Sequence, residues 1–161
     1  MRISTKVDYA LRAMAELAVA ADAADDGPLK AELIAKRQGI PLKFLLAILN
    51  ELRRAHLVRS RRGQDGGYVL ARPAKEITLA DVMRSVEGPL ANVHGDSLRR
   101  IAYPGAASCL TDVWKAVRSS LRSVLEATTV GDLATGRLPR RVQDLAERYD
   151  EAERGARRAV R

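Results

Sequence analysis

Cysteine occurs once in these 161 residues, at Cys109, so one chain can form no internal disulfide and nothing points to an oxidising compartment. Histidine occurs twice, at His56 and His94, and neither has a second His or Cys at metal-ligand spacing, so no metal site is expected. No apolar run approaches the length of a membrane span. Residues 1–6 carry no apolar stretch with a small-residue cleavage site behind it, so a cytoplasmic location without a membrane partner is expected. The chain also lacks catalytic apparatus: there is no recognisable nucleophile with its base and no paired carboxylates. The run Gly63, Gln64, Asp65, Gly66, Gly67 has neither a Walker lysine nor a strand-to-helix setting, which excludes an enzyme. No internal repeat is visible.

What the chain has is positive charge in one place. Residues 28–75 hold eleven Lys and Arg against three acids, a net +8 that equals the net charge of the whole chain. The pI near 10.1 is therefore made by one module. A local excess of this kind suits a polyanion, because each neutralised phosphate releases condensed counterions. A merely solvated basic face is the plainer alternative.

Within that window, residues 40–70 read as a helix, a short exit and a basic hairpin. Leu42, Leu45, Ile48, Leu49 and Leu52 step by three or four, which lays one apolar stripe along a helix of about three turns. Lys43, Asn50, Arg53 and Arg54 stand off the stripe. Residues 57–62 then alternate toward a Gly-rich tip, and Tyr68, Val69 and Leu70 return as a strand. A helix followed by a basic, Gly-tipped hairpin is the outline of a winged-helix DNA reader, in which the helix enters the major groove and the hairpin lies beside it.

The remaining elements complete a small head. Ser4 or Thr5 caps a first helix that buries Val7, Ala10, Leu11, Met14, Leu17 and Ala18, and residues 22–28 form an acidic breaking loop. A second helix spans about residues 30–38 with Leu33 and Ile34 inward, stopped by Gly39, and Pro41 opens the third. His56 is expected to meet free carbonyls at that third helix's end. A fourth helix, capped by Thr78 with Asp81 three residues on, carries Leu79, Val82, Met83 and Val86 and packs back on the head. The fold class is mainly α with a small β-hairpin wing.

The second half has a different task. A long connection, residues 88–108, precedes Leu110, Val113, Trp114, Val117, Leu121, Val124 and Leu125, which repeat at helix-seam spacing. One helix cannot bury such a stripe alone. Twofold pairing would bury it and place two heads on a palindrome; the alternative is that the stripe folds onto its own head. Beyond residue 133 an amphipathic helix with Val142, Leu145, Ala146 and Tyr149 leads to a tail expected to fray from residue 153. The organisation is thus a DNA-binding head at 1–87, an effector-type loop at 88–108, a dimerisation region at 109–133 and a C-terminal helix and tail at 134–161.

The motifs at residues 1–6, 8–12, 35–40, 57–60, 66–73 and 76–82 together resemble the Rrf-two family of bacterial winged-helix transcription regulators, which includes IscR, NsrR and CymR. The resemblance runs from Met1 to about Leu133. It implies a homodimer, usually a repressor, on a double-stranded DNA operator, with the long helices crossing at the dimer. On that pattern the residues expected at DNA are Tyr9 at a phosphate, Pro41, Lys43 and Phe44 at the third helix's start, Arg53, and Arg61, Arg62, Gly63, Gln64, Asp65 and Gly66 on the wing. Leu46 and Ala47 fall where some relatives carry polar base-reading side chains, which shifts the expected readout toward the wing and DNA shape.

The resemblance also implies that residues 88–108 are where many members hold an iron–sulfur cluster through three cysteines. That stretch contains none. Cys109 looks like the last of the three, Asp112 stands where some members supply a histidine, and Asp8 matches a carboxylate offered across the dimer. With one thiolate per subunit no cluster is expected as cofactor, and the chain is closer to cluster-free members such as CymR, controlled by a protein partner, a small molecule or another signal. Cys109 itself reads either as a small buried hydrophobe or as a sensor at a helix start, where the dipole favours oxidation or a disulfide across the dimer. His94 reads as a solvated turn residue or a second sensor group, and Trp114 as dimer core or the wall of an effector pocket. The remaining alternative for the whole chain is a winged-helix adaptor that binds protein.

Overall fold

Ser4 starts the first helix by accepting a hydrogen bond from Val7 N at 3.2 Å, and α1 (Thr5–Ala21) follows. The computed structural model describes residues 3–22, 27–89 and 102–159, the side chains of the last helix through residue 156. α1 buries Val7, Ala10, Ala13, Met14, Leu17 and Ala18, and the other elements of the head pack around it. These are α2 (Ala31–Gln38), α3 (Leu42–Arg54), the antiparallel hairpin β1 (Val58–Arg61) and β2 (Gly67–Leu70), and α4 (Leu79–Glu87). α3 contributes Leu45, Ile48, Leu49 and Leu52 to the core, each burial being worth on the order of 2 kcal/mol.

The stripes differ from the sequence reading at two leucines. Leu33 is 38% exposed because the inward face of the short α2 is Ala31, Ile34 and Ala35, which leaves Leu33 rotated off it. Leu42 is 37% exposed, since the first turn of α3 extends past the core. β1 does not alternate as expected: Val58 is buried and Arg59, Ser60 and Arg61 are exposed, because a two-stranded hairpin has no third layer at its outer end. His56 ends α3 in the left-handed region, φ 56°, where glycine is more usual. The helix-end carbonyls are met by backbone there, His56 N donating to Arg53 O at 3.1 Å and Leu57 N to Leu52 O at 3.0 Å.

α4 begins with the expected cap in reciprocal form: Asp81 N donates to Thr78 Oγ1 at 3.1 Å and Thr78 N to Asp81 Oδ2 at 3.2 Å. α5 (Leu110–Leu125) is the long seam helix. After it the structure adds α6 (Val130–Thr135), opened by a second capping box between Thr129 and Asp132. Residues 128–133 had been grouped with the dimerisation region, yet they return to the head. Leu79 N donates to Thr128 O at 2.9 Å, Val130 N donates to Ile77 O at 2.8 Å, Val130 is fully buried, and α6 lies on α1. α7 (Arg140–Ala159) runs on through residue 153, where fraying was expected. Asp144 with Arg148 and Asp150 with Arg154 stand at the i, i+4 spacing that supports an exposed helix.

Candidate nucleic-acid interface

The turn between α2 and α3 is made by Gly39, whose φ of 62° only glycine adopts without cost, and by Ile40, buried and donating to Ala35 O at 3.0 Å. Pro41 caps α3, its carbonyl accepting from Phe44 N and Leu45 N at 3.0 Å each. With Leu45, Ile48, Leu49 and Leu52 turned inward, Lys43, Phe44, Leu46, Ala47, Arg53 and Arg54 face solvent. Tyr9 on α1 meets Phe44 edge-on, ring centroids 5.8 Å apart at 86°, so these two expected contact residues form one unit.

That unit is held by a network missing from the sequence reading. Arg12 lies over the Tyr9 ring at 5.4 Å, pairs with Asp8 at 3.1 Å, and donates to the Gln38 backbone carbonyl and to Gln38 Oε1, the latter at 3.1 Å. Gln38 Nε2 donates to Glu16 Oε1 at 2.6 Å, and Glu16 pairs with Arg37 at 3.1 Å. Asp8, Arg12 and Glu16 recur every four residues along α1, a spacing that marks one helix face and was the available signal. Together they clamp the end of α2 and set where α3 begins. At the opposite side Lys6 pairs with Glu51 at 2.7 Å and donates to Val86 O at 2.9 Å, tying α1 to α3 and α4.

The wing follows from two glycines. At the tip Gly66 N donates to Gly63 O at 3.0 Å, with Gly63 at φ 108°, and Gln64 and Asp65 exposed between them. At the base Gly67 lets β2 run against the segment before α2, where Leu29 and Tyr68 exchange two hydrogen bonds of 2.9 Å. Arg59 is turned back onto Ala71 O at 2.8 Å, whereas Arg61 and Arg62 are exposed and enter no ion pair among the described residues. Arg53 donates to Asn50 Oδ1 at 2.9 Å. A groove of about 450 Å³ runs between the start of α2, Leu46 on α3 and the wing residues 60–63, so α3 and wing open onto one channel.

α5 is held to the head mainly at its C-terminal end. Leu125 packs against the core, and Glu126 receives both Arg122 (2.9 Å) and Arg84 of α4. The hydrogen bonds from Arg122 and then Arg84 keep the Glu126 carboxyl below its ordinary value, so it is ionised at neutral pH. Arg84, Arg118 and Arg122 line a cleft of about 260 Å³ with Gly88 and Pro89. Away from that end the seam lies open: Val113 is 49% and Val117 40% exposed, with Leu110, Trp114, Leu121 and Val124 half-buried. The stripe therefore does not fold wholly onto its own head. The Trp114 indole N–H is shielded from solvent without a hydrogen-bond acceptor among the described residues.

Cys109 is exposed at the cap position of α5, which does not match a buried hydrophobe. Asp112 pairs with Lys115 at 2.9 Å. His94 lies outside the described residues. Among the described residues no group of three or more His, Cys, Asp or Glu could hold a metal ion, and no helix is long and apolar enough to cross a membrane.

A match to Rrf2, iron-dependent transcriptional regulator, spans residues 3–136 and so leaves α7 outside it. An HTH-type transcriptional regulator of Mycobacterium tuberculosis is 51% identical over 149 residues, covering 92% of this chain and 91% of the relative. CymR of Bacillus subtilis is 34% identical over 135 residues, covering 84% and 91%. The solved structure of CymR, the global cysteine regulator of B. subtilis, superposes with a TM-score of 0.71 at 33% identity over 84% of this chain and 97% of that one. T. potens IscR superposes with a TM-score of 0.68 at 32% identity over 84% and 88%. These relatives are regulators and not enzymes.

The residues present do not fit an iron–sulfur group within one chain. Cys109 is the sole thiolate, and the two carboxylates nearest the expected ligand positions, Asp8 and Asp112, are already paired with Arg12 and Lys115. With a winged-helix head, an open seam helix and this likeness over residues 3–136, the chain belongs to the Rrf2 family of transcription regulators.

Proposed function

We propose that the protein is a homodimeric repressor that binds a palindromic DNA operator in the cytoplasm and works without an iron–sulfur cluster. The observation that carries this reading is the single channel shared by α3 and the wing, flanked by Lys43, Arg61 and Arg62. Such a channel admits a phosphate-bearing duplex with one element in the major groove and the other beside it. The open stripe on α5 supports self-pairing. The test is binding to a duplex selected by the protein from a randomised pool, against random duplex at physiological salt. A regulator is expected to prefer its site by at least about a thousandfold, and a protein-binding adaptor shows no preference.

Arg62→Ala is expected to weaken operator binding about tenfold and to lower the slope of log affinity against log salt by about one, the signature of one lost phosphate-region contact. An unchanged affinity across the salt titration removes the wing from the interface.

The cleft lined by Arg84, Arg118 and Arg122 touches both the head and the seam helix, which suits a small-molecule effector. The exposure of Cys109 favours thiol oxidation as a second mode of control. Protein purified without oxygen is expected to be colourless and iron-free and to bind its operator. Under the second mode peroxide releases the native protein from DNA but not Cys109→Ser. A brown, iron-loaded sample that loses DNA affinity on iron removal would overturn cluster-free action.

A further inference from the structure

The reading face of α3 is apolar at its centre. Leu46 is 40% exposed, Ala47 is exposed beside it, and Leu46 borders the channel that the wing closes on the other side. Leaving two apolar side chains in water on the helix of a basic head has no advantage for folding, since neither contributes to the core. The one nearby amide, Asn50, is the side-chain type that pairs with adenine, but its Oδ1 already accepts from Arg53. Hydrogen-bonded base reading from the middle of α3 is therefore weak.

The major groove offers one apolar group, the 5-methyl of thymine, and Leu or Ala side chains are suited to it. The wing points the same way, because Arg61 and Arg62 suit the narrow, electronegative minor groove of A·T tracts. We infer that Leu46 and Ala47 are specificity-determining residues that select the operator through thymine 5-methyl groups, beside a wing that selects A·T-rich flanks. This inference rests on the DNA-binding reading above and names what that site reads.

The test uses the full chain and the duplex it selects from a randomised pool. Each thymine is replaced in turn by deoxyuridine, which deletes the methyl and leaves base pairing intact. One or two positions per half-site are expected to lose about fourfold in affinity per methyl. In Leu46→Ala that thymine-over-uracil preference disappears. Leu46→Gln, equally exposed and so harmless to folding, is expected to shift selection at the same position toward adenine. A selected sequence that binds equally well with uracil throughout, or a Leu46→Ala protein that keeps the preference, overturns methyl reading while leaving the regulator intact. A pool that yields no enriched sequence overturns the DNA-binding reading itself.

Discussion

Replacing both Val113 and Val117 by aspartate is expected to convert the protein to a monomer and to lower operator affinity at least about a hundredfold. The two valines lie a turn apart on α5 and are the most exposed of its apolar residues, so they add little to the fold of one chain. Two carboxylates there put four charges into a twofold seam, where burying unpaired charge is prohibitive. Light scattering is expected to fall from twice 17.6 kDa to 17.6 kDa, with the thermal transition of the head kept. The affinity loss follows from linkage: in a dimer the second head binds at high effective concentration once the first has docked, and a monomer forfeits that gain. A variant that stays dimeric, or a monomer that binds as tightly as the native protein, refutes self-pairing through α5.

The second large effect is predicted at Gly67. A Cβ built there stands 2.6 Å from Leu29 O and 2.8 Å from Leu29 C, both backbone atoms that cannot rotate away. Gly67→Ala must push β2 off the segment before α2 and break the paired Leu29–Tyr68 hydrogen bonds. Overpacking and the lost bonds together cost about 2–4 kcal/mol, which for a chain of this size lowers Tm by roughly 10 °C. The wing loses its seat, so DNA affinity falls as well. Gly155→Ala, with nothing within 4 Å, is the control and is expected to be neutral or mildly stabilising. A Gly67→Ala protein with native Tm and affinity contradicts the close approach that the structure shows.

The parts of this molecule that local chemistry dictates were readable before any coordinates. Ser4, Gly39, Pro41 and Thr78 mark helix ends through their own backbones and hydroxyls, and the stripe Leu45, Ile48, Leu49, Leu52 needs only helical period. What escaped depends on partners distant in sequence. The clamp of Arg12 and Glu16 on Gln38 joins residues more than twenty apart, and Leu33 and Leu42 were misjudged because periodicity does not say where a neighbour stops covering a helix. α6 was missed although Thr129 and Asp132 repeat the spacing of Thr78 and Asp81, since six residues are too few for a periodic signal. The channel between α3 and wing lay outside sequence reasoning too: its members were named singly, but their common opening is a tertiary fact.

The stitching of Thr128 and Val130 to Ile77 and Leu79 makes α5 a lever whose fulcrum is a seam of the head itself. Any tilt imposed along that lever is delivered to α6 and from there to α1, the helix on which Tyr9 and Arg12 sit. A signal received far from the duplex thus need not travel through the wing; it arrives at the back of the helix that decides how α3 is presented.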